Sequence, residues 1–308
     1  MRESSAIERL RRIATSRAAL SLRDDVALLD GLVLTHDSIA EGVHFLPSDP
    51  AASVGWKLVT VNLSDLAGKG ATPAAGLLSL CLSGNDEWDM AFLDGVEAAC
   101  ESYELPLVGG DTIALPLGAP KVFGLTAIGR AGEKVPLRSG GRAGDSLWLI
   151  GTIGDAAAGL ALLQGDVKAT GPLVDVYRRP IPQLAAGQAV ASHAHAMMDV
   201  SDGLLLDASR LAEASGLSAV IDVDALPLSR AFVAEMGQGV EARLFAATGG
   251  VDYALLAAFG PGVDPLTLPL PRRTTIARIG TLAAEGPLLS LLSGGSPVPV
   301  PRRLGFEH

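Results

Sequence analysis

The segment Asp199-Val200-Ser201-Asp202-Gly203-Leu204, inside the run MMDVSDGLLLDASRLAEASG, puts two carboxylates where an extended stretch turns into a helix. His195 to Met198 is a short apolar approach. Leu205, Leu206, Leu211 and Ala212 then recur at helical spacing up to Gly216. Ser201 is the N-cap candidate. A capped helix start accounts for one aspartate. It does not account for two that flank a Ser and precede a Gly, a residue that lets backbone approach a ligand. This junction constrains the chain most, because the other segments have to be arranged around it.

Acidic clusters of the same sort recur upstream. Arg23-Asp24-Asp25 opens an apolar strand, Asp30-Gly31 is a hairpin turn, and the return strand ends in Thr35-His36-Asp37. In simple register, Asp25 and Asp37 fall near the same end of adjacent strands. Adjacent aspartates are ordinarily a turn or a solvated edge, but two acidic strand ends joined by one tight turn point to a metal site. Residues 39–50 read as a loop carrying Glu41, Gly42, His44 and Phe45. From residue 53 the positions Trp56, Val59, Leu63 and Leu66 are helical and enclose Asn62, Ser64 and Asp65. A carboxylate buried on that apolar helix needs a metal or another cation to be tolerated. Gly68-Lys69-Gly70 is not a phosphate loop, since Leu63 takes the first Gly position and Gly70 the Ser/Thr position. It reads as a helix terminus.

Residues 76–82 read as a buried strand and 86–103 as an amphipathic helix with Trp88, Phe92, Val96 and Cys100 inward. Gly109-Gly110-Asp111-Thr112 is a further strand end with a bare backbone and a carboxylate, and 121–130 is the last strand of the first domain. The Gly- and Arg-rich crossing 138–145 marks the junction, giving domains 1–137 and 138–308 in a chain whose 308 residues are long for one core. Arg138 or Arg142 is within reach of a phosphate there, unless it is a solvated linker residue. The second half reads as strand 146–150, helix 155–163, a proline-led helix 180–191 and strand 218–223. Residues 229–247 are largely helical. Thr248-Gly249-Gly250-Val251-Asp252-Tyr253 precedes the strand ALLAAF, and 276–280 and 288–292 are late strands.

Composition excludes some functions. Aromatic residues make up 4%, which argues against stacking platforms for single strands, and the formal charge of −10 opposes a nucleic-acid partner. Divalent cations would still let an acidic protein hold a polyphosphate. Cys81 and Cys100 are too few for a disulfide framework or a zinc site. The first residues, MRESSAIERLRRIA, lack an apolar signal core. No uninterrupted apolar run reaches membrane-spanning length, so no membrane partner and a cytoplasmic location are expected.

Taken in order, RDDVALL, THDSIAEGVHF, VNLSDLAGKGATP, LVGGDT, DVSDGLLLD and GGVDY resemble the thiamine-monophosphate kinases, members of the superfamily of aminoimidazole ribonucleotide synthetase and selenophosphate synthetase. The resemblance runs from about residue 20 to the C-terminus. It implies a two-domain α/β (α+β) fold like that of aminoimidazole ribonucleotide synthetase. The N-terminal sheet domain would pair across a homodimer, with ATP near that interface and an α/β C-terminal domain beside it. It implies direct transfer of the ATP γ-phosphoryl group to thiamine monophosphate, with several Mg²⁺ ions. By similarity, Asp25, Thr35, His36, Asp37, Asp65, Asp111, Asp199 and Asp202 stand at metal positions, with Asp25, Asp65, Asp199 and Asp202 the residues expected to carry catalysis. Gly110, Asp111, Arg138 and Ser201 match ATP-contacting positions, and His44, Val251 and Phe306 match positions contacting the thiamine phosphate.

The sequence departs from the family pattern at four places. Arg23 replaces a Gly. His36 replaces a Thr, tolerable if the metal contact there is through the backbone. Val251 replaces Glu or Asp, leaving Asp252 next door as a possible substitute. The ending reads Gly305-Phe306-Glu307-His308 in place of a Gly-Phe-Asp-His-Phe type. The chain has no Cys near the N-terminus, as a selenophosphate synthetase would require, and none at the C-terminus, as the carbamoyl-transfer relative would. A regulatory or degenerate nucleotide- and metal-binding member, or a related ATP-dependent synthetase, is the alternative.

Overall fold

The computed structural model of the chain describes residues 3–306, so Glu307 and His308 of the terminal motif lie outside the described residues. The first half forms a five-stranded sheet from β1 (Ala27–Leu29), β2 (Leu32–Ala40), β3 (Thr72–Leu82), β4 (Leu107–Ala114) and β5 (Val122–Arg130), in the order β1-β2-β5-β3-β4. The β1–β2 hairpin turns at Asp30 and Gly31 with φ of 49° and 79°, the left-handed pair that a two-residue turn between twisted strands requires. Besides the short α1 (Glu3–Arg11), two helices belong to this half, α2 (Ala51–Gly68) and α3 (Asp86–Ser102).

The second half is a seven-stranded sheet of β6 (Ser146–Ile150), β7 (Ala196–Val200), β8 (Ser218–Asp222), β9 (Ala254–Phe259), β10 (Ile276–Ala283), β11 (Leu289–Ser293) and β12 (Ser296–Val298), in the order β12-β11-β8-β10-β6-β9-β7. Its helices are α4 (Asp155–Gly165), α5 (Pro172–Arg178), α6 (Leu184–Ala191), α7 (Leu204–Ala214), α8 (Arg230–Met236) and α9 (Val240–Thr248).

Helix α2 joins the halves. It is buried almost continuously from Val54 to Gly68 because it is covered by β2, β5 and α3 on its own side and by α6 and β7 on the other. Apolar residues recur on every side of α2, and its buried polar residues, Asn62, Ser64 and Asp65 among them, are matched by partners on the neighbouring strands. Gly68 permits the approach to β7, since a Cβ there would lie 2.9 Å from the Asp199 backbone nitrogen. Among the described residues, no helix is long and apolar enough to cross a membrane.

Some elements differ from the sequence reading. β3 begins at Thr72, four residues early, because Pro73 sits at a bulge and interrupts the strand pattern. Gly109 to Thr112 lies within β4, not at a strand end, and β2 extends to Ala40, into the segment read as a loop. The proline-led helix starts only at Leu184. Residues 172–178 form a separate helix with Pro172 in its first turn, and the 229–247 stretch breaks at Gly237 and Gly239.

Candidate active site

Three segments far apart in sequence meet under one cleft. Asp65 comes from the last turn of α2, Asp199 from β7, and Asp25 from the run ahead of β1. One carboxylate oxygen from each lies within 4.8 Å of the others. Asp65 and Asp199 are 8% and 2% exposed. Thr35 Oγ1 donates to Asp65 Oδ2, and Ser64 Oγ donates to Asp199 Oδ2 at 2.7 Å. Burial, then the charges of Asp37 and Asp199, push the Asp65 carboxyl well above its usual range. Burial pushes Asp199 the same way. Asn62 Oδ1 accepts the Asp37 backbone N–H at 2.8 Å and ties that part of β2 to α2. Helical spacing explains the division of labour, because neighbours on α2 face different partners. Asn62 and Asp65 meet β2, while Ser64 meets β7.

The cleft, about 910 Å³, is lined by Asp24, Asp25, Asp37, His44, Arg138, Ser201, Asp202, Val251 and Phe306, among others. A second depression, about 630 Å³ along α3 and the start of β4, brings together no comparable ligand set. Arg138 forks onto Asp25, with Nε 2.9 Å from Oδ2 and an Nη on Oδ1. Its backbone N–H donates to Asp24 Oδ2 at 2.9 Å. Lys69, one residue beyond α2, is fully buried with Nζ 2.6 Å from Asp24 Oδ1. The sequence reading identified the helix terminus there and missed the side chain, because nothing local shows that it turns inward.

The Asp199–Asp202 junction is held differently from the sequence expectation. Ser201 is not the N-cap. Gly203, at φ 124°, precedes the first helical residue, and the Asp207 carboxylate accepts the Ser201 and Asp202 N–H groups at 3.1 and 3.2 Å. A carboxylate in the first turn of α7 reaches back to these two donors, which a Ser hydroxyl in the extended segment does not. Asp207 is fully buried and pushed up to about 7 by that burial. Arg210 pairs with it at 2.9 Å and with Asp202 at 2.5 Å.

Residues 250–253 run beside this junction. Val251 N–H donates to the Ser201 carbonyl at 2.8 Å, Tyr253 N–H to Val200 at 3.0 Å, and Phe306 N–H to Asp202 at 2.9 Å. Asp252 does not stand in for the missing acid at Val251. Its carboxylate accepts the Gly154 and Ala156 N–H groups at 2.7 and 3.1 Å, capping α4, and it is buried away from the cleft. At the far wall, His44 Nδ1 accepts the Ala40 N–H at 3.1 Å, and the His44 carbonyl accepts from Lys57 Nζ at 3.1 Å. Lys57 is buried over the Tyr177 ring, 3.7 Å from its centroid, and burial brings its pKa down to about 7.

Three expected positions stand apart. The His36 ring lies on the open face of the first sheet, 2.9 Å from Thr126 Oγ1, as alternation along β2 demands once Thr35 faces α2. Gly110 and Asp111 lie on β4, separated from β2 by β3 and β5. They do not line the cleft of the single chain.

The two halves match, one after the other, the two domains of the AIR synthase related proteins. The family model of their N-terminal domain matches residues 23–131, and that of their C-terminal domain residues 142–258. The chain is 35% identical over 319 residues to the thiamine-monophosphate kinase of Salmonella typhimurium, covering 96% of this chain and 94% of that protein. It is 39% identical over 305 residues to that of Caulobacter vibrioides, covering 94% and 85%. A solved structure of AaThiL complexed with AMPPCP and TMP superposes with a TM-score of 0.84 at 30% identity, over 100% of this chain and 97% of that one. The chain belongs to the thiamine-monophosphate kinase family.

Proposed function

We propose that the cleft catalyses ATP-dependent phosphorylation of thiamine monophosphate to thiamine diphosphate, by direct transfer of the γ-phosphoryl group. The observation that carries this is the convergence of Asp25, Asp65 and Asp199 within 4.8 Å, with Asp25 lining a cleft of about 910 Å³ and the other two buried behind it. These donors fit Mg²⁺, being hard oxygens whose burial and mutual repulsion make a divalent cation the natural partner. Bound there, Mg²⁺ would neutralise the phosphate oxygens of two mutually repelling anions.

The chain's own residues hold and orient. Thr35 and Ser64 aim the floor carboxylates, and Asn62 and Asp207 fix the backbones of Asp37, Ser201 and Asp202. Arg138 exchanges its fork on Asp25 for a phosphate, and Ser201 meets the nucleotide beside it. His44, Val251 and Phe306 form the acceptor end. Gly110 and Asp111, with the His36 backbone, join the site through a homodimer formed on the open sheet face, where Leu77, Val108, Ile113 and Val122 are exposed. The enzyme works in the cytoplasm.

A coupled assay with thiamine monophosphate, ATP and Mg²⁺ tests the reading, and product formation that a chelator abolishes is the expected result. Incubation with γ-labelled ATP alone should leave the protein unlabelled. A stoichiometric label that chases into product would refute direct transfer. Val251 favours one second reading, a nucleotide- and metal-binding member that does not turn over thiamine monophosphate. No product at saturating acceptor, with ATP still bound, would establish it.

A further inference from the structure

Lys69 is a charged side chain at the site that the catalytic reading leaves without a role. We infer that it is a permanent cation of the metal cluster, a positioning residue supplying charge that divalent ions would otherwise have to bring. The inference rests on the proposed metal site.

Its side chain is 0% exposed, and its ammonium meets Asp24 Oδ1 at 2.6 Å, the Met197 carbonyl at 3.0 Å and Asp25 Oδ2 at 3.8 Å. These partners come from the segments that supply the cluster. Asp24 precedes Asp25, Met197 lies two residues before Asp199 on β7, and Lys69 follows Asp65 by four residues. One ammonium thus links the three backbones that carry the floor carboxylates. An ammonium is desolvated only at large cost unless carboxylates and carbonyls surround it, and here they do. Lys is a compact point charge on a covalent tether, so neither nucleotide nor chelator removes it. It keeps Asp24 and Asp25 in place before ions arrive, and it lowers by one the charge that those ions must balance. The inference therefore predicts that removing Lys69 strengthens cation binding, whereas a lysine that only packs the interior predicts the reverse, because a loosened cluster binds ions less well.

The test counts Mn²⁺ bound per chain by electron paramagnetic resonance of the free ion, for wild type, Lys69→Met, Asp24→Asn and the double variant. Lys69→Met is expected to bind one further Mn²⁺, or to bind about tenfold more tightly, and to melt lower in chelator with recovery on adding Mn²⁺. An isotherm equal to that of wild type, or a weaker one, overturns the inference. If Lys69→Met does not fold, the comparison moves to the two variants that share Asp24→Asn. The double should then bind Mn²⁺ about tenfold more tightly than Asp24→Asn alone, and equality overturns the inference. Wild type that binds no Mn²⁺ would remove the metal reading and this inference together. Wild type that binds normally while the variants match it removes the role of Lys69 alone.

Discussion

Val251 sits at φ 72°, a left-handed conformation that a β-branched residue adopts only at a cost of about 1–3 kcal/mol, held there by its bond to Ser201. It lines the cleft with an apolar side chain, and in the proposed reaction this is the end where the acceptor's cationic thiazolium ring would gain from a carboxylate. Val251→Glu should lower the acceptor KM by roughly tenfold to a hundredfold, the worth of one charge-assisted contact, and leave the ATP KM nearly unchanged. Steady-state kinetics with each substrate varied in turn measures this, and an unmoved acceptor KM would mean that the loop does not read the ring. Asp252→Ala should act differently, because Asp252 caps α4. The expected loss is about 1–2 kcal/mol of stability in a denaturant melt, with both KM values retained. Asp65→Asn separates chemistry from folding. The folded pKa of Asp65 lies above its unfolded value, so its contribution to stability is complete below about pH 4 and is lost as pH rises through the folded value. Asn does not titrate, so the metal-free variant should melt above wild type at neutral pH. Its kcat should fall by about a hundredfold or more, partly offset by excess Mg²⁺. A metal-free melt below that of wild type would contradict this account.

Among the elements, α2 has the most to position. Its Asn62, Ser64 and Asp65 reach two different sheets only because the helix passes within backbone contact of β7 at Gly68. Gly68→Ala would set a methyl 2.9 Å from the Asp199 nitrogen, so helix or strand must move by several tenths of an ångström. Helix propensity alone favours Ala over Gly by about 1 kcal/mol. The prediction is nevertheless a fall in kcat of at least about tenfold, since carboxylates displaced by that much would no longer share the proposed ion. An active Gly68→Ala variant, with the stability gain expected of an exposed helical site, would show that the contact does not set the geometry.

At the scale of the molecule, the two halves also meet at Lys57, which α2 presents to Tyr177 on α5. Burial lowers its folded pKa to about 7, against 10.5 for the free side chain, although Asp49 opposes the shift. Between those values the unfolded chain binds a proton that the folded chain does not, so stability rises with pH from about 7 to 10.5 and is lost as pH falls through 7. Lys57→Met removes the titration, and the melting temperature of wild type relative to the variant should climb over that window. Parallel curves would rule the buried amine out. The open face of the first sheet carries the other prediction of this scale. Ile113→Lys, on an edge strand that is exposed along its length, should shift the protein toward monomer in sedimentation velocity and reduce activity, because Asp111 shares that strand. A monomeric wild type would remove the proposed dimer, and a dimeric variant would remove this face as its interface.

The sequence determined by itself what depends on local order. The Asp30-Gly31 turn fixed the β1–β2 pairing that brings Asp25 and Asp37 to one cleft, and a carboxylate at Asp65 on an apolar helix signalled a buried charge needing a cation. The ordered acidic patches gave the family. Tertiary structure decided where side chains with more than one local choice would point. His36 and Thr35 are neighbours, yet strand alternation and the position of α2 send one to the open face and the other to the floor. Asp252 and Val251 are also neighbours, and only the start of α4, nearly a hundred residues earlier, draws Asp252 out of the cleft. Lys69 turned inward because Asp24 and Met197, distant in sequence, left a buried space that suits an ammonium. Periodicity records which residues are apolar. It carries no information about which distant partner desolvates a polar group, and that partner sets what the group can do.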